Sequence, residues 1–531
     1  MVSVRETFID LMRDLELTTV FGNPGSTEEN FLEHFPSDFR YVLALQEASV
    51  LSIADGYAQA TRKPAFVNVH TAPGLGNAMG NLVTASMNKT PLIVTAGQQT
   101  REMLLMEPWL SNVDAASFPR PHVKWSYEPV RPQDVPAALM RAYAAAIQPP
   151  QGPVFLSLPL DDWAREALPK PPVRTLATRV APDPDRLTEL AKALDAARSP
   201  ALLMGSDIDR AGAWDLAVAL AERTGATVFA PPGSERTSFP EDHPQFAGAL
   251  PFAIAPLAEK LRGHDLVVVI GAPVFRYYPY VPGDYLPQGT RLVQITNDPA
   301  EAARAPVGDA LVSDAGLALL QLLDQVTAGK RTAPRHDHVA PVPSPSSPMT
   351  AEDLFASVAK VRPDDMVIVE ESPSNLPMLH RHLPIRRPHS FFTMASGGLG
   401  FGLPASIGVA LGEEATGRRR PVLSVIGDGS FHYSIQSLAT AAREKARLTI
   451  LVPRNEEYAI LKAFAKQQHT PGVPGLDLPP FDVEQLATGY GCRFERGTTP
   501  DDVADLVRAS FDHDGPTVIE VPIDKTVPAL L

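Results

Sequence analysis

Short apolar runs alternate along the chain with segments whose apolar residues recur every three or four positions. The runs at 65–69, 200–204, 266–270 and 422–426 have the length of strands that are buried on both faces of a parallel sheet. The segments between such runs, for example 211–224, have the period of amphipathic helices. This alternation predicts an α/β protein with doubly wound parallel sheets, which bind ligands at the carboxyl ends of their strands.

The stretch Val422–Asn455 has the pattern strand, loop, helix, strand, and its first loop has the sequence GDGS. Because both strand ends lie at one edge of a parallel sheet, Asp428 and Asn455 are expected to offer oxygen atoms to one hard cation. Glycine lets the backbone approach an anion closely, and a helix N-terminus favours negative charge. The pattern fits an ordinary turn as well as a cradle for Mg²⁺ and a diphosphate. The cradle would consist of Gly427, Asp428, Gly429, Ser430 and Asn455.

Three polar residues near the beginning of the chain lie where a predicted strand gives way to a loop or helix. Ser26 ends a Gly-Asn-Pro-Gly-Ser turn, and His70 directly follows an apolar run. Glu47 separates the run 41–45 from a helix predicted to begin at Ala48. The pattern fits a helix cap at Ser26 and a core histidine at His70 as well as it fits a functional role for either residue. A carboxylate at Glu47 is costly among apolar neighbours unless the chemistry needs it.

Composition limits the class of protein. The chain has 531 residues, of which 44% are hydrophobic and 20% charged, as in globular proteins. The net charge of −14 argues against nucleic acids and anionic membranes as partners. The apolar runs are shorter than the ~18 residues that a membrane-spanning helix needs. The single cysteine, Cys492, excludes an internal disulfide and favours a reducing compartment. These features predict a cytoplasmic protein and leave its chemistry open.

The length of the chain and breaks in its pattern predict three domains. The first domain is expected over residues 1–180, the second over 181–330 and the third over 350–531. A polar, proline-rich linker at 331–349 separates the last two. The middle domain lacks a GxGxxG motif, so its sequence does not predict a dinucleotide site.

The chain resembles the thiamin-diphosphate-dependent 2-oxoacid decarboxylases, and within them the benzoylformate decarboxylase family. The likeness covers nearly the whole chain and includes GDG followed by Asn, VFGNPGSTEENFLEHFP, YVLALQEASVLSIADGYAQATRKPAFVNVHTAPGLGNAMGNL and ASGGLGFGLPASIGVAL. It implies that the first domain binds the pyrimidine ring of thiamin diphosphate and the third binds its diphosphate and Mg²⁺. It also implies a homodimer or homotetramer with the active site between subunits.

The resemblance assigns chemical roles to individual residues. It implies that Glu47 activates the cofactor through its pyrimidine ring. Ser26 would bind the substrate carboxylate, and His70 would transfer protons beside it. Leu399 would be the wedge that bends the cofactor, and the carbonyl of Gly397 would accept a hydrogen bond from its amino group. The residues expected to contact the cofactor are Glu47, Gly397, Leu399, Gly427, Asp428, Gly429, Ser430, Asn455, Tyr458 and Ser374.

The metal ligands implied are Asp428, Asn455 and Glu457, the last mainly through its main chain. The substrate pocket implied consists of Ser26, His70, Phe464, Ile460 and Leu461. The chain departs from the family at several sites, among them Arg454, Thr393 and Met394. Tyr278 stands where the family has a second histidine, and Ile460 stands where it has a small alanine. Pro373 replaces a hydroxyl residue, so Ser372 or Ser374 is expected to take over the hydrogen bond to the diphosphate.

The resemblance implies a carboxy-lyase that converts benzoylformate to benzaldehyde and CO₂, with possible carboligase side activity. Because Tyr278 and Ile460 alter the pocket, two alternatives remain open. One is another thiamin-diphosphate lyase or synthase, acting on aliphatic 2-oxoacids or making acetolactate. The other is a cofactor-binding protein without catalysis, although the presence of Glu47, Asp428, Asn455 and Ser26 argues against it.

Overall fold

The computed structural model describes residues 1–327, 331–344 and 346–530 and contains three sheets of six strands each. The strands within each sheet pair in parallel. The prediction of three doubly wound α/β sheets is therefore confirmed. Within the described residues, the helices are too short or too polar to cross a bilayer.

The first sheet has the strand order β2-β1-β3-β4-β6-β5. Its strands are β1 Thr19–Gly22, β2 Arg40–Leu43, β3 Ala65–Val69, β4 Leu92–Gln98, β5 Ser126–Tyr127 and β6 Val154–Pro159. The helices around it are α1 Val4–Asp14, α2 Glu29–Leu32, α3 Glu47–Thr61, α4 Thr71–Met87 and α5 Val135–Ile147, with 3₁₀ turns at Arg101–Met106 and Pro132–Asp134. Helix α1 begins where it does because Ser3 and Glu6 form a capping box.

The second sheet has the order β12-β11-β10-β7-β8-β9. Its strands are β7 Pro200–Met204, β8 Thr227–Ala230, β9 Phe246–Ala249, β10 Leu266–Ile270, β11 Arg291–Thr296 and β12 Asp309–Val312. Its helices are α6 Pro184–Ala196, α7 Ser206–Arg210, α8 Trp214–Thr224, α9 Ile254–Lys260, α10 Pro299–Arg304 and α11 Ala315–Gln325. The single helix predicted over 211–224 is wrong in its first turn, because Gly212 has a φ of +65° that ends α7 before α8 begins.

The third sheet has the order β14-β13-β15-β16-β18-β17. Its strands are β13 Val367–Glu371, β14 Phe391–Phe392, β15 Val422–Ile426, β16 Leu448–Arg454, β17 Arg493–Arg496 and β18 Pro516–Pro522. Its helices are α12 Ala351–Ala359, α13 Leu376–His382, α14 Gly402–Ala415, α15 Asp428–Phe431, α16 Ser437–Arg443, α17 Ala459–Gln467, α18 Val483–Gly489 and α19 Pro500–Phe511, with a 3₁₀ turn at His432–Ser434. The predicted strand–loop–helix–strand unit is present, with Asp428 at the first position of its helical turn.

Helices α3 and α14 join the first and third sheets by direct contact of their backbones. A methyl group at Gly56 would lie 2.0 Å from the carbonyl oxygen of Ala405, and one at Gly408 would lie 1.9 Å from that of Ile53. Both positions therefore need glycine for this close approach. Helix α3 begins at Glu47, and α14 follows the loop 397–401. The contact between the two helices therefore determines the position of Glu47 relative to this loop within one chain.

The domain boundaries at 180/181 and 349/350 stay a prediction. Residue 345 of the predicted linker 331–349 lies outside the described residues, as do 328–330 and 531. At the start of this segment, Arg331 donates a hydrogen bond of 2.7 Å to the carbonyl of Ala197. The beginning of the predicted linker therefore packs against the end of α6.

Candidate active site

Glu47 is the first residue of α3 and is held by two neutral amides. Its carboxylate accepts hydrogen bonds from Nδ2 of Asn23 at 3.1 Å and from Nδ2 of Asn77 at 3.0 Å. The residue is 6% exposed. The side chain of Gln46 caps α3, so the helix begins one residue earlier than predicted. Both hydrogen-bond partners of the Glu47 carboxylate are therefore uncharged. The sequence did not predict a role for Asn23 or Asn77. The signal that it offered was their position, Asn23 directly after β1 and Asn77 early in α4.

His70 directly follows β3. It is held by a buried carboxylate that the sequence did not predict. Its Nδ1 lies 2.7 Å from Oε2 of Glu28 and 3.1 Å from the hydroxyl of Thr27. The Glu28 carboxylate also accepts from the backbone N–H groups of Gly25 and Gly97. A carboxylate at Nδ1 fixes the proton there and leaves Nε2 for a ligand.

The residues after β1, β2 and β3 converge, as predicted. A methyl group at Gly74 would lie 3.1 Å from Oε1 of Glu47 and 3.3 Å from Cβ of His70. One at Gly25 would lie 2.1 Å from Nδ1 of His70, so the turn that contains Ser26 borders the imidazole. Ser26 is exposed in this turn and does not begin a helix, because α2 starts three residues later. Glu47, His70 and the turn of Ser26 therefore share one corner.

Asp428 and Asn455 lie at the carboxyl edge of the third sheet, as predicted. The Asp428 carboxylate accepts hydrogen bonds from the N–H of Gly429 at 2.9 Å and of Glu456 at 2.6 Å. Burial raises the pKa of Asp428 to about 6, which the two N–H donors only partly offset. Asn455 is buried directly after β16. A buried carboxylate and an amide oxygen at one edge form a donor set that a bound cation would stabilise.

The side chain of Glu457 is turned towards a lysine. Its carboxylate pairs with Lys462 on α17, and Lys462 also lies 2.7 Å from Asp477. Oε1 of Glu457 is buried and lacks a hydrogen-bond partner among the described residues. This arrangement is consistent with the expectation that Glu457 acts mainly through its main chain.

The two glycines of the GDGS turn each lie next to a side chain from another part of the third domain. A methyl group at Gly429 would lie 2.5 Å from the ring of Tyr458, which caps α17. The nearest atom to one at Gly427 is the hydroxyl of Ser372, at 3.5 Å. Ser430 is buried in the turn α15. Of the two serines expected to replace a missing hydroxyl, Ser372 is therefore the one beside Gly427, and Ser374 lies farther along the turn before α13.

The loop that carries Gly397 and Leu399 is anchored by a buried glutamate. The carboxylate of Glu371, the last residue of β13, accepts from the backbone N–H of Gly400 at 2.7 Å and of Phe401 at 2.8 Å. Burial raises the pKa of Glu371 to about 7. Gly397 has a φ of +73°, and a methyl group there would meet no described atom within 4 Å. The loop is thus fixed at one end and open at Gly397, where a ligand has room.

Tyr278 comes from the middle domain and lies against α17. Its ring centroid is 4.9 Å from that of Phe464, and the phenol is 58% exposed. Ile460 is partly buried in the first turn of the same helix, and Leu461 is exposed beside it. Tyr278 and Phe464 therefore form an aromatic wall, and Ile460 lies one helical turn before Phe464 on α17.

An exposed apolar segment lies next to His70. The hydroxyl of Thr71 donates a 2.8 Å hydrogen bond to the carbonyl of Leu110. In the same segment Leu105 is 96% exposed and Trp109 is 91% exposed. Large apolar side chains this exposed are unusual on a monomer and favour a partner surface.

Three family descriptions match the chain. Residues 2–118 match the N-terminal TPP binding domain of thiamine pyrophosphate enzymes, 187–322 the central domain, and 374–521 the C-terminal TPP binding domain. The central match spans the six strands of the second sheet, and the other two matches cover most of the strands of the first and third sheets.

Individual relatives match over the full length of the chain. The chain is 44% identical over 534 residues to the benzoylformate decarboxylase of Pseudomonas aeruginosa, a match that covers 99% of this chain and 100% of the relative. The crystal structure of benzoylformate decarboxylase from Polynucleobacter necessarius superimposes with a TM-score of 0.97 at 51% identity and covers 100% of both chains. The thiamine diphosphate-dependent 4-hydroxybenzoylformate decarboxylase of Rhodococcus jostii RHA1 superimposes with a TM-score of 0.95 at 42% identity, over 99% of this chain and 100% of that one.

Proposed function

Because this chain belongs to the thiamine pyrophosphate enzyme family, we propose that it is a carboxy-lyase that releases CO₂ from an aromatic 2-oxoacid. The observation that carries this conclusion is the full-length similarity to three decarboxylases of aromatic 2-oxoacids. Benzoylformate, converted to benzaldehyde, is the first substrate to test. The aromatic wall of Tyr278 and Phe464 supports a flat phenyl substrate.

The cofactor is thiamin diphosphate, with Mg²⁺ as the proposed metal. When bound, thiamin diphosphate supplies a carbon nucleophile for the ketone and accepts the electron pair that departing CO₂ leaves behind. Asp428, Asn455 and the main chain of Glu457 would hold Mg²⁺. The buried, unneutralised carboxylate of Asp428 supports this assignment. The residues that would contact the cofactor are Gly397, Leu399, Gly427, Gly429, Ser430, Tyr458 and Ser374, with Ser372 added by its position beside Gly427.

Proton movements are assigned to the corner shared by Glu47 and His70. Glu47 would hold a proton at the edge of the pyrimidine ring, since its present partners are neutral amides. Nε2 of His70 would exchange a proton with the reacting carbonyl oxygen, while Glu28 keeps the other ring nitrogen protonated. Ser26, exposed in the bordering turn, would donate a hydrogen bond to the substrate carboxylate.

The substrate wall restricts what enters and excludes water from the reacting carbonyl. Phe464 and Ile460 would contact the phenyl ring, with Leu461 at its outer edge. Tyr278, whose ring packs on Phe464, would extend this wall and would offer its hydroxyl as a hydrogen-bond donor. We assign Tyr278 this donor role and no part in proton transfer.

The active protein is proposed to be a homodimer or homotetramer whose site forms between subunits. The exposed side chains of Leu105 and Trp109 beside His70, and the open side of Gly397, support a second copy at this surface. A cytoplasmic location is proposed from Cys492, which is free and buried, and whose pKa burial raises to about 12. A buried thiol of this kind is typical of reducing compartments.

The test is CO₂ release from five 2-oxoacids with added thiamin diphosphate and Mg²⁺. The substrates are benzoylformate, 4-hydroxybenzoylformate, phenylpyruvate, pyruvate and 2-oxoisovalerate. Turnover of the first two above the aliphatic acids is expected, and removal of Mg²⁺ with EDTA should abolish it reversibly. The Glu47→Gln variant should lose roughly 10²–10⁴-fold in kcat, the range of general acid–base catalysis, and still bind the cofactor. Glu241→Gln, which alters a buried glutamate that holds His380, is the matched control.

Each alternative has its own outcome in this test. Preference for pyruvate or 2-oxoisovalerate, or formation of acetolactate, would contradict the aromatic assignment and point to Ile460 as the residue that reshaped the pocket. Cofactor binding without turnover of any acid would favour the non-catalytic alternative. Formation of a 2-hydroxyketone from added benzaldehyde would reveal carboligase side activity.

A further inference from the structure

A buried network of charged and polar side chains joins the domains behind the walls of the candidate site. Its centre is Glu235 of the middle domain, which is 2% exposed. Its carboxylate pairs with Arg210 and with Arg276, the latter at 2.8 Å between Oε2 and Nη1. Its backbone carbonyl accepts a 3.1 Å hydrogen bond from the N–H of Thr393 in the third domain. One residue of the middle domain thus contacts two arginines and a neighbouring domain.

Arg276 links this network to the substrate wall. It lies two residues before Tyr278, whose N–H donates to the carbonyl of Phe252 at 3.0 Å and whose ring packs on Phe464. The Tyr278 ring itself is more than half exposed. The position of the Tyr278 ring therefore depends on the backbone of residues 276–278. The ion pair of Arg276 with Glu235 fixes one end of this segment.

A second branch of the network leads to the loop that carries Gly397. Arg210 donates a 2.7 Å hydrogen bond to the carbonyl of Asn88, the residue after α4. The side-chain carbonyl of Asn88 accepts from the N–H of Ala395 at 2.9 Å. Ala395 lies two residues before Gly397. Arg210 thus contacts Glu235 and the first domain without the help of Arg276. We expect these contacts to remain when Arg276 is substituted.

We propose that Glu235 and Arg276 are positioning residues whose ion pair sets the place of Tyr278 against Phe464, and so the width of the pocket for the aromatic ring of the substrate. This inference rests on the proposed function, because it assigns the wall to an aromatic 2-oxoacid. Neither charge contacts the predicted cofactor residues among the described hydrogen bonds, so the pair acts through geometry. Removing Glu235 would leave two arginines without their shared carboxylate, whereas removing Arg276 leaves Glu235 paired with Arg210, which is why Arg276 and not Glu235 is the residue to change.

The experiment compares Arg276→Met with a matched control. Glu413, at the other end of α14, is also a buried glutamate held by two arginines, Arg418 and Arg420. Arg276→Met should lower kcat/KM for the best aromatic substrate roughly tenfold or more, mainly through KM, since small displacements of positioning groups are costly. Arg276→Lys should restore part of the loss. Arg418→Met should leave kinetics unchanged, and all three should bind thiamin diphosphate as the unaltered protein does.

Two further measurements separate positioning from a general structural effect. In a Tyr278→Ala background, Arg276→Met should cause no additional loss, because the residue that it positions is gone. Hydrogen exchange of the Tyr278 amide should become faster in Arg276→Met and stay unchanged in Arg418→Met. Equal kinetics and exchange in the two methionine variants would overturn the inference. If the unaltered protein decarboxylates none of the five acids, the proposed function fails, and the exchange comparison still decides whether Arg276 holds Tyr278.

Discussion

Glu47 and Asp428 of the candidate site differ in their partners from two buried structural acids, Glu235 and Glu413. Glu47 is held by asparagine amides, Glu371 by backbone N–H groups and Asp428 by backbone N–H groups as well. In contrast, the buried Glu235 and Glu413 each pair with two arginines. A fixed cation would neutralise a carboxylate permanently, whereas neutral donors leave its charge for a proton or a metal. The partners thus distinguish Glu47 and Asp428 from Glu235 and Glu413, whose arginines join segments of the fold.

Glu28 is the residue whose change tests the placement of His70. Glu28→Gln keeps the shape but removes the charge that stabilises a protonated imidazole, so kcat should fall by about 10–10²-fold, at the low end of acid–base effects. Thr27→Val is the matched control, because it removes the hydroxyl that donates to Glu28 at 2.8 Å and lies 3.1 Å from the same ring nitrogen, but keeps the Glu28 carboxylate. We expect it to change kcat little. Steady-state kinetics on the best substrate measure both, and equal losses would show that the charge of Glu28 is not what matters.

At the scale of elements, the contact of α3 with α14 determines how the corner of Glu47 stands relative to the Gly397 loop. Asn81 on α4 reinforces this contact, since its amide donates to the carbonyls of both Ala48 and Gly400. The start of α3 and the end of the loop are therefore held together by backbone contact and by a shared side chain.

Gly408→Ala should separate these helices. Its new methyl group would lie 1.9 Å from the carbonyl of Ile53, and overpacking of this kind costs about 1–3 kcal/mol of unfolding free energy. Gly80→Ala on the exposed side of α4 is the control, because a methyl group there meets no described atom within 4 Å. It should stabilise the protein by up to about 1 kcal/mol through helix propensity. Denaturant unfolding of both variants checks this, and equal shifts in the same direction would contradict it.

At the scale of the whole molecule, the proposed site uses the first domain of one chain and the third domain of another. The exposed apolar segment around Leu105 and Trp109 is then an interface in the assembled protein, not a surface in water. This arrangement makes activity a property of the dimer.

Mixing two inactive variants tests this arrangement. Chains with Glu47→Gln and chains with Asp428→Asn should each be inactive. In a mixed dimer, one of the two sites combines an intact first domain with an intact third domain. Random reassociation of equal amounts should therefore restore about a quarter of full activity. CO₂ release after co-refolding measures it. No recovery, with mixed dimers shown by a different affinity tag on each variant, would place both residues in a site within one chain.

Local patterns in the sequence determined much of this protein. The alternation of apolar runs and helical segments predicted the three parallel sheets, and strand ends predicted that Glu47 and His70 converge and that Asp428 and Asn455 share an edge. These features depend on backbone direction and on the period of neighbouring residues, which a sequence carries directly. The resemblance to a family, which the comparisons confirmed, added the cofactor and the reaction.

The tertiary structure alone decided which side chains hold these residues in place. Glu28 on Nδ1 of His70, the amides on Glu47, the loop held by Glu371 and the ring of Tyr278 on Phe464 join residues that are far apart in the chain. Such contacts depend on side-chain direction and on the packing of whole domains, where many residues of suitable chemistry compete for each position. Local periodicity does not predict which of these residues forms the contact. That choice depends on the packing of all three domains, in which the buried polar groups form hydrogen bonds with one another.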